Sequence, residues 1–285
     1  MRIVSDFDGV WTDPRAEAEA VGARQLERLA EALGGDRPRA EAVLAELRAR
    51  VRARPEAHGW LWQGELSAFA DEDPYIFHNA VAAALYEQGG EAVAALRRAG
   101  LPDAGRFAAA CFEEGTAAWR AAHPTHLLPE AAEAVQRLLA AGHEVVIVSN
   151  SSTARVASIL ADLGLRAQEH ERLVLRGGAR KFVLTPAEPA GLEEPQLLAG
   201  RPVRLRRLHY YRLLEELRPA VVIGDVLSLD LVLPAALRRE QLLSGPMRLY
   251  LKRNPYTPDW ALMAAAEADI EVVGGLAELA ERLGD

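Results

Sequence analysis

The sequence predicts an α/β fold in which a parallel sheet carries a large all-helical segment inserted after the first strand. Three apolar runs, at 1–5, 144–148 and 219–223, contain many β-branched residues and indicate strands that are buried on both faces. From about residue 124 onward, predicted strands and helices alternate, which is typical of right-handed βαβ crossovers and a parallel sheet. Residues 14–122 instead show helical periodicity and no convincing strand.

The inserted segment is rich in Ala, Glu, Arg and Leu. Its apolar residues recur at spacings of three and four, as at Leu26, Leu29 and Leu33, which puts them on one face of a helix. Prolines such as Pro38 and Pro74 separate the helices, because proline disrupts a helix interior. The helices predicted here span 16–33, 39–54, 79–88, 91–99 and 106–122.

The sequence pattern of the second half of the chain predicts the remaining helices and strands of the α/β core. The predicted helices are 129–141, 153–163, 209–217, 229–238, 258–268 and 275–283, and the predicted strands are 144–148, 220–223, 248–251 and 270–273. Residues 172–184 are expected to form two short strands, and 203–207 to pair back on 182–184 as a hairpin. Pro, Glu and Gly dominate 186–200, which predicts a loop. We therefore expect an α/β core from 1–13 and 128–285, and a helical domain from 14–127.

The composition is that of ordinary soluble proteins. Hydrophobic residues make up 50% and charged residues 26% of the sequence. A chain of 285 residues is long enough for a large core and a second unit. The net charge of −8 disfavours general binding to nucleic acid or to anionic membranes. The single cysteine, Cys111, excludes an intramolecular disulfide. We expect neither a signal peptide nor a membrane span, and hence a cytoplasmic protein.

Two carboxylates directly after the first strand are the most informative feature. Asp6 and Asp8 stand two positions apart, and Gly9 then permits a sharp turn. Carboxylates this close repel each other unless a cation lies between them, and carboxylate oxygens are ligands that Mg²⁺ prefers. An acidic surface turn is the alternative reading of this motif by itself.

Two further predicted strands also end in polar residues. Ser149 and Asn150 follow the strand 144–148, and Asp225 follows the strand 220–223, with Asp230 five positions further on. Ligands of parallel sheets bind beyond the carboxyl ends of the strands. The three polar segments are therefore expected to converge in one crevice.

This ordered set of motifs resembles the haloacid dehalogenase (HAD) superfamily of phosphotransferases. The DxDGxxT, hydroxyl-ended strand and GDxxxxD motifs correspond to Asp6, Asp8, Gly9 and Thr12, to Ser149, and to Gly224, Asp225 and Asp230. The resemblance covers 1–13 and 128–285. It implies a Rossmann-like parallel sheet, and it identifies the inserted segment as a type-1 cap that closes over the site and expels water.

The cationic third motif of the family is the least regular one here. The family places a lysine, sometimes an arginine, ahead of the GD strand and usually nearer to it than in this chain. Lys181 follows the strand-like run 172–176 and two glycines, as suits a residue that leaves a strand end. Arg207 lies closer to Asp225 and directly before a predicted helix. Lys181 is favoured, with Arg207 as the substitute.

The resemblance implies a Mg²⁺-dependent phosphatase that hydrolyses a small phosphorylated metabolite through an aspartyl-phosphate. Asp6 would be the nucleophile, and Asp8 would protonate the leaving alcohol and then deprotonate water. The implied ligands of Mg²⁺ are Asp6, the backbone carbonyl of Asp8, Asp225 and, directly or through water, Asp230. The implied phosphate-binding set is Thr12 (which would also orient Asp8), Ser149, Asn150, and Lys181 or Arg207.

Alternative functions remain open at this point. The resemblance argues against carbon–halogen cleavage, because the dehalogenases of the superfamily lack an acid at the position of Asp8. It does not separate a phosphatase from an intramolecular phosphomutase. A signalling receiver domain also uses clustered aspartates, a hydroxyl and a lysine, but it lacks a large insert after its first strand. A catalytically idle scaffold or phosphometabolite-binding protein is the third alternative.

Overall fold

A computed structural model describes residues 1–123, 127–162, 164–165, 171–187 and 191–284. The strands in these ranges are β1 (Arg2–Ser5), β2 (Gly59–Trp62), β3 (Glu65–Phe69), β4 (Glu144–Val148), β5 (Leu173–Arg176), β6 (Gln196–Leu198), β7 (Arg201–Val203), β8 (Val221–Gly224), β9 (Arg248–Lys252) and β10 (Glu271–Val273). The helices are α1 (Arg15–Ala32), α2 (Arg37–Ala53), α3 (Pro74–Gln88), α4 (Gly90–Arg98), α5 (Ala104–Ala122), α6 (Pro129–Ala140), α7 (Thr153–Ala161), α8 (Leu208–Leu217), α9 (Val232–Arg239), α10 (Asp259–Glu267) and α11 (Leu276–Gly284). None of these helices is both long and apolar enough to cross a bilayer.

A six-stranded parallel sheet forms the centre of the core, in the order β10-β9-β8-β1-β4-β5. Strand β1 lies between β8 and β4, and Val4 pairs with Val222 on one side and Val146 on the other. All three of these valines are 1% exposed or less, as expected for strands that are covered on both faces. The predicted parallel α/β fold is therefore confirmed.

Helices α6, α7 and α11 belong to the same apolar core as the sheet. Val135, Leu160 and Leu279 of these helices are fully buried in one cluster with Ile3 and Val145 of the sheet. Full burial of an aliphatic side chain of this size is worth about 1.5–3 kcal/mol. This packing holds the strands in place, so that the loops following them start from fixed positions.

The chain divides into two compact units, one made of 1–13 with 124–285 and the other of 14–123. The unit 14–123 has an apolar core of its own, which includes Val21, Leu44 and Phe107. Gly115 of α5 packs directly against α1, since a Cβ at this position would lie 2.8 Å from the Cα of Val21. The absence of a side chain there lets the two helices approach closely.

The unit 14–123 contains a β-hairpin, so the prediction that it is entirely helical was wrong. Strands β2 and β3 pair antiparallel, with Trp62 opposite Glu65. The two residues between them, Gln63 and Gly64, both have positive φ, at 51° and 85°, as a type I′ turn requires. Gln-Gly is not one of the dipeptides that usually mark this turn, and both strands are short. The hairpin thus left little trace in the sequence pattern.

The region around 172–207 also differs from the prediction. Residues 172–184 form one strand, β5, instead of two. The hairpin pairs β6 with β7 across Ala199 and Gly200, both with positive φ, whereas 203–207 and 182–184 form no hairpin. Part of the predicted loop, 188–190, lies outside the described residues, as does Leu163 at the predicted end of the helix that begins at Thr153. A π-helical turn, Leu227–Leu231, precedes α9, so that helix starts later than predicted.

Candidate active site

The loops after β1, β4 and β8 start side by side because these strands are neighbours in the sheet. The backbone N–H of Asp6 donates to the carbonyl of Ile223 at 2.9 Å, which ties the first residue after β1 to the end of β8. Ser149 directly follows β4, and its backbone N–H donates to the carbonyl oxygen of Arg176 in β5 at 3.1 Å. The sheet thus delivers three of the predicted polar segments to one edge.

Lys181 lies between two of the predicted acidic residues. Its Nζ is 2.6 Å from Oδ1 of Asp6 and 2.6 Å from Oδ1 of Asp230. The lysine side chain is only 2% exposed and that of Asp6 12%. Burial by itself would lower the pKa of Lys181, but the carboxylates of Asp230 and Asp6 outweigh it and raise the pKa. The lysine is therefore charged throughout the physiological pH range.

The same surroundings act on Asp6 in the opposite sense. Burial raises the pKa of Asp6 well above its ordinary value, Lys181 opposes this rise, and the carboxylates of Asp230 and Asp225 add to it. More positive charge than one ammonium is thus needed to hold all of these acids in the ionised form.

The main chain of Lys181 is held by two of the other candidate residues. Oδ1 of Asn150 accepts from the backbone N–H of Lys181 at 2.8 Å, and Nη1 of Arg207 donates to its carbonyl oxygen at 2.6 Å. Arg207 is fully buried and also donates to the carbonyl of Arg204 at 3.1 Å. The ring of Tyr210 lies 5.8 Å from the ammonium, within cation–π range. The structure therefore puts Lys181, and not Arg207, against Asp6.

Three carboxylates converge tightly enough to share one cation. Asp6, Asp225 and Asp230 each offer an oxygen, and these oxygens lie within 4.8 Å of one another. The site has no room for a larger residue at Gly9, because a Cβ there would lie 1.9 Å from Oδ2 of Asp225. Carboxylate oxygens suit Mg²⁺, and the excess of negative charge over the single ammonium suits a divalent ion. The residues present thus fit a magnesium ion.

Asp230 has protein partners on both of its oxygens. Oδ1 accepts from Lys181, while Oδ2 accepts from the backbone N–H of Val226 at 3.1 Å. The π-helical turn brings this carboxylate back under the end of β8, so that a Cβ at Gly224 would lie 2.3 Å from that of Asp230. Asp230 therefore anchors both the lysine and the start of the loop that carries Asp225.

Asp8 is held by two residues that the sequence analysis did not single out. Oδ2 accepts from the hydroxyl of Ser151 at 2.7 Å, and Oδ1 accepts from Nη1 of Arg155 at 2.7 Å. Arg155 also donates to the hydroxyl of Ser151 at 2.9 Å, and its side chain is 7% exposed. Ser151 lies just before α7 and Arg155 lies in its first turn, and an arginine in the first turn of a helix was the available signal.

The two predicted hydroxyl residues lie in the loops themselves. Oγ1 of Thr12 accepts from the backbone N–H of Gly9 at 3.2 Å, so it closes the turn after Asp8 instead of contacting that carboxylate. Oγ of Ser149 accepts from the backbone N–H of Ser151 at 3.0 Å. Both residues are almost fully buried. Their contacts in this structure brace the loops that carry Asp8 and its partners.

Asp225 has a set of partners from the end of β9, which the sequence analysis also missed. Asn254 and Tyr256 donate to Oδ2 of Asp225, and Lys252 contacts Asn254 in turn. The missed signal is the run of polar residues that follows an otherwise apolar strand, the same pattern that marked the other three strand ends.

The fold and the site define an enzyme with a parallel α/β core whose strand ends bring acidic residues and a buried lysine together. The chain belongs to the family of haloacid dehalogenase-like hydrolases, which it matches over residues 1–230. The resemblance inferred from the sequence motifs is thereby confirmed, and so is the expectation of a hydrolase of this family.

Several solved structures resemble the chain along its length. A proposed beta-phosphoglucomutase of Thermotoga maritima is 14% identical, with a TM-score of 0.48, and the match covers 99% of this chain and 98% of that one. A haloacid dehalogenase-like family hydrolase of Xanthomonas campestris is 15% identical, with a TM-score of 0.44 and coverages of 100% and 94%. A variant of CbbY of Rhodobacter sphaeroides, in complex with xylulose-(1,5)bisphosphate, is 17% identical, with a TM-score of 0.43 and coverages of 98% and 95%. At these identities the likeness extends to the fold alone, and no curated protein matches the chain.

Proposed function

We propose that the protein is a Mg²⁺-dependent phosphatase that hydrolyses a small phosphorylated metabolite through an aspartyl-phosphate on Asp6. The observation that supports this most directly is the grouping of Asp6, Asp225 and Asp230 within 4.8 Å, with Lys181 2.6 Å from Asp6. A phosphate monoester repels an attacking carboxylate, so its hydrolysis needs positive charge at the phosphoryl oxygens. The site combines a carboxylate nucleophile with two sources of that charge, a lysine and a cation-binding cluster.

In the first step, an oxygen of Asp6 attacks phosphorus and the bond from phosphorus to the leaving oxygen breaks. Asp8, whose carboxyl lies two residues beyond the nucleophile, donates a proton to that oxygen and an alcohol leaves. In the second step, Asp8 takes a proton from water, the resulting hydroxide attacks phosphorus, and the acyl phosphate bond to Asp6 breaks. Phosphate leaves, and both carboxyl groups return to their starting forms.

Other residues bind and orient the transferred group. Lys181 and Ser149 contact the phosphoryl oxygens in this proposal. The side chain of Asn150 holds Lys181 by accepting a hydrogen bond from the backbone N–H of that lysine. Arg207 supports the same lysine by donating a hydrogen bond to the backbone carbonyl oxygen of Lys181. Thr12 closes the turn that presents Asp8.

The metal would be held by Asp6, the backbone carbonyl of Asp8 and Asp225, with Asp230 supporting the set through Lys181. When bound, Mg²⁺ offsets the negative charge of the phosphoryl oxygens and of Asp6. The unit 14–123 would supply the cap that the family resemblance implies, and its side chains would select the leaving group.

A substrate screen tests the proposal. Purified protein is incubated with a panel of phosphorylated sugars, nucleotides and organic acids, with Mg²⁺ or with a chelator, and released phosphate is measured. We expect Mg²⁺-dependent release from at least one class of substrate and no release by Asp6→Asn, whose circular dichroism should match the wild type. Unchanged activity in Asp6→Asn would exclude Asp6 as the nucleophile. Conversion of a sugar phosphate to its isomer without phosphate release would identify a mutase instead.

A further inference from the structure

The carboxylate of Asp225 is fixed by residues from a different strand. Its Oδ2 accepts from Nδ2 of Asn254 at 3.1 Å and from the hydroxyl of Tyr256 at 2.8 Å. Asp225 is 2% exposed and Asn254 8% exposed, so these bonds are largely shielded from water. The family match ends at residue 230, and both donors therefore belong to a part of this chain that lies beyond it.

Strand β9 brings these donors to the site. It pairs in parallel with β8, with Leu251 opposite Gly224, so the residues that follow the two strands emerge side by side. A tight turn then fixes the direction of the chain. The backbone N–H of Asn254 donates to Oγ1 of Thr257 at 2.8 Å, and the N–H of Thr257 donates back to the carbonyl of Asn254 at 3.0 Å. Tyr256 is held inside this turn.

Lys252 determines which way the amide of Asn254 faces. Its Nζ lies 2.8 Å from Oδ1 of Asn254 and 2.5 Å from the carbonyl oxygen of Gly9. An ammonium group can only donate hydrogen bonds, so the amide oxygen must face Lys252 and the NH₂ group must face Asp225. The same NH₂ group also donates to the carbonyl of Gly9 at 3.1 Å. The loop after β1 and the carboxylate after β8 are thus joined through one amide.

We propose that Lys252, Asn254 and Tyr256 are positioning residues that orient Asp225 and thereby set the affinity of the site for Mg²⁺. This inference rests on the proposed function, since it concerns the cation that the proposed phosphatase needs. Donors on Oδ2 hold the carboxylate in one rotation before the cation arrives, so less orientational freedom is lost on binding. Groups that hold metal ligands in this manner typically change metal affinity by about 10- to 100-fold when they are removed.

Titration calorimetry with Mg²⁺ alone, in the absence of any substrate, tests the inference on the whole chain of 285 residues. Tyr256→Phe removes one hydroxyl and Asn254→Ala removes the amide, and we expect about 10- to 100-fold weaker binding in each. Tyr211→Phe is the matched control, because Tyr211 is on α8 and its hydroxyl donates to Glu215 on the exposed side of the same helix. Its affinity for Mg²⁺ should equal that of the wild type. Thermal unfolding without Mg²⁺ should show all three variants folded.

A second measurement separates positioning from a general structural defect. In a phosphatase assay, Tyr256→Phe should require more Mg²⁺ for half-maximal rate, yet recover most of the wild-type kcat at saturating Mg²⁺. A rate that stays low at every Mg²⁺ concentration would overturn the positioning role, as would wild-type affinity for Mg²⁺ in both Tyr256→Phe and Asn254→Ala.

The failure of the proposed function has a different signature. Asp225→Asn is the reference, because it alters the carboxylate itself. If the wild type binds no Mg²⁺, or if Asp225→Asn binds as tightly as the wild type, the ion does not use this site. The proposed metal-dependent function and the positioning role then fail together. Tight binding that is lost in Asp225→Asn but retained in Tyr256→Phe and Asn254→Ala overturns only the positioning role.

Discussion

Nζ of Lys181 lies 2.6 Å from Oδ1 of Asp6, although the two residues are 175 positions apart in the chain. The lysine makes an equally short contact with Asp230, and all three side chains are at least largely buried. A buried ion pair contributes little net stability compared with apolar packing, but removing one partner leaves an uncompensated charge. This lysine therefore affects both the stability of the core and the chemistry that we propose for it.

Lys181→Met is expected to lower the free energy of unfolding by about 3–5 kcal/mol, because two buried carboxylates lose their counter-charge. Phosphate release should fall by about 10²- to 10³-fold, as is typical when one stabilising donor is removed from a reacting oxyanion. Urea denaturation and steady-state kinetics measure the two effects. Adding Asp230→Asn to Lys181→Met should recover part of the lost stability. Equal urea midpoints for Lys181→Met and the wild type would contradict the interpretation.

Gly9→Ala tests the close approach of the first loop to Asp225. Gly9 has a φ of 81°, and an added Cβ would lie 1.9 Å from Oδ2 of Asp225. Gly200 has a φ of 78° but open space around it, so Gly200→Ala isolates the backbone strain, worth about 1–2 kcal/mol. We expect Gly9→Ala to lose more stability than this and also to bind Mg²⁺ more weakly. Similar losses of stability in the two variants, with unchanged Mg²⁺ binding, would show that Asp225 adjusts freely.

Arg155→Met tests whether the orientation of Asp8 matters for proton transfer. We expect kcat to fall on every substrate, because Arg155 and Ser151 bond the two oxygens of Asp8. The fall should be largest for alkyl phosphates, whose leaving groups need a proton, and small for p-nitrophenyl phosphate, whose leaving group does not. General acid catalysis is worth about 10²- to 10⁴-fold, which bounds the effect.

The matched control for Arg155→Met is Arg176→Met, since Arg176 forms an exposed ion pair with Glu216. That variant should leave both classes of substrate unaffected. An equal loss on alkyl and p-nitrophenyl phosphates in Arg155→Met would contradict the role in proton transfer.

The burial of His78 leads us to expect that the stability of the unit 14–123 depends on pH. Burial, together with the positive charges of Arg48 and Arg52, lowers the pKa of His78 to about 4. The unfolded chain, with a histidine pKa near 6.5, therefore takes up the proton first as the pH falls. The stability that the neutral ring provides is fully present above about pH 6.5 and is lost progressively toward pH 4.

Urea denaturation between pH 7 and pH 4 checks this. His78→Gln should flatten the decline in stability across that window, since glutamine takes up no proton. His123→Gln, at an exposed position, should leave the slope unchanged. An identical slope in His78→Gln and the wild type would exclude His78 as its source.

The fold was predictable where the sequence pattern is repeated and strong. The strand 144–148 was predicted with its observed bounds, because the four consecutive β-branched residues that end at Val148 are typical of a parallel strand covered on both faces. The hairpins β2–β3 and β6–β7 were not predicted. Each depends on two positive φ angles in a two-residue turn, one of them at Gln63 or Ala199, residue types that seldom adopt that conformation.

The site was predictable to the extent that its residues follow strand ends. Asp6, Asp225 and Asp230 lie together as the motif order predicted. Ser151 and Arg155 follow the hydroxyl motif, and the signal that marked them was weak, an arginine in the first turn of α7. The choice between Lys181 and Arg207 depended on which side chain the fold turns toward Asp6, and spacing along the chain does not encode this direction.

The sequence by itself determined the strands of the central parallel sheet, the order of the acidic motifs and the family, because burial on both faces of a parallel sheet imposes local apolar runs and a fixed edge for polar residues. Tertiary structure alone decided the partners: Lys181 for Asp6, Arg155 for Asp8, and Asn254 with Tyr256 for Asp225. These contacts join residues far apart in the chain. Their geometry depends on how neighbouring strands and loops emerge from the sheet, and a one-dimensional pattern carries no record of that.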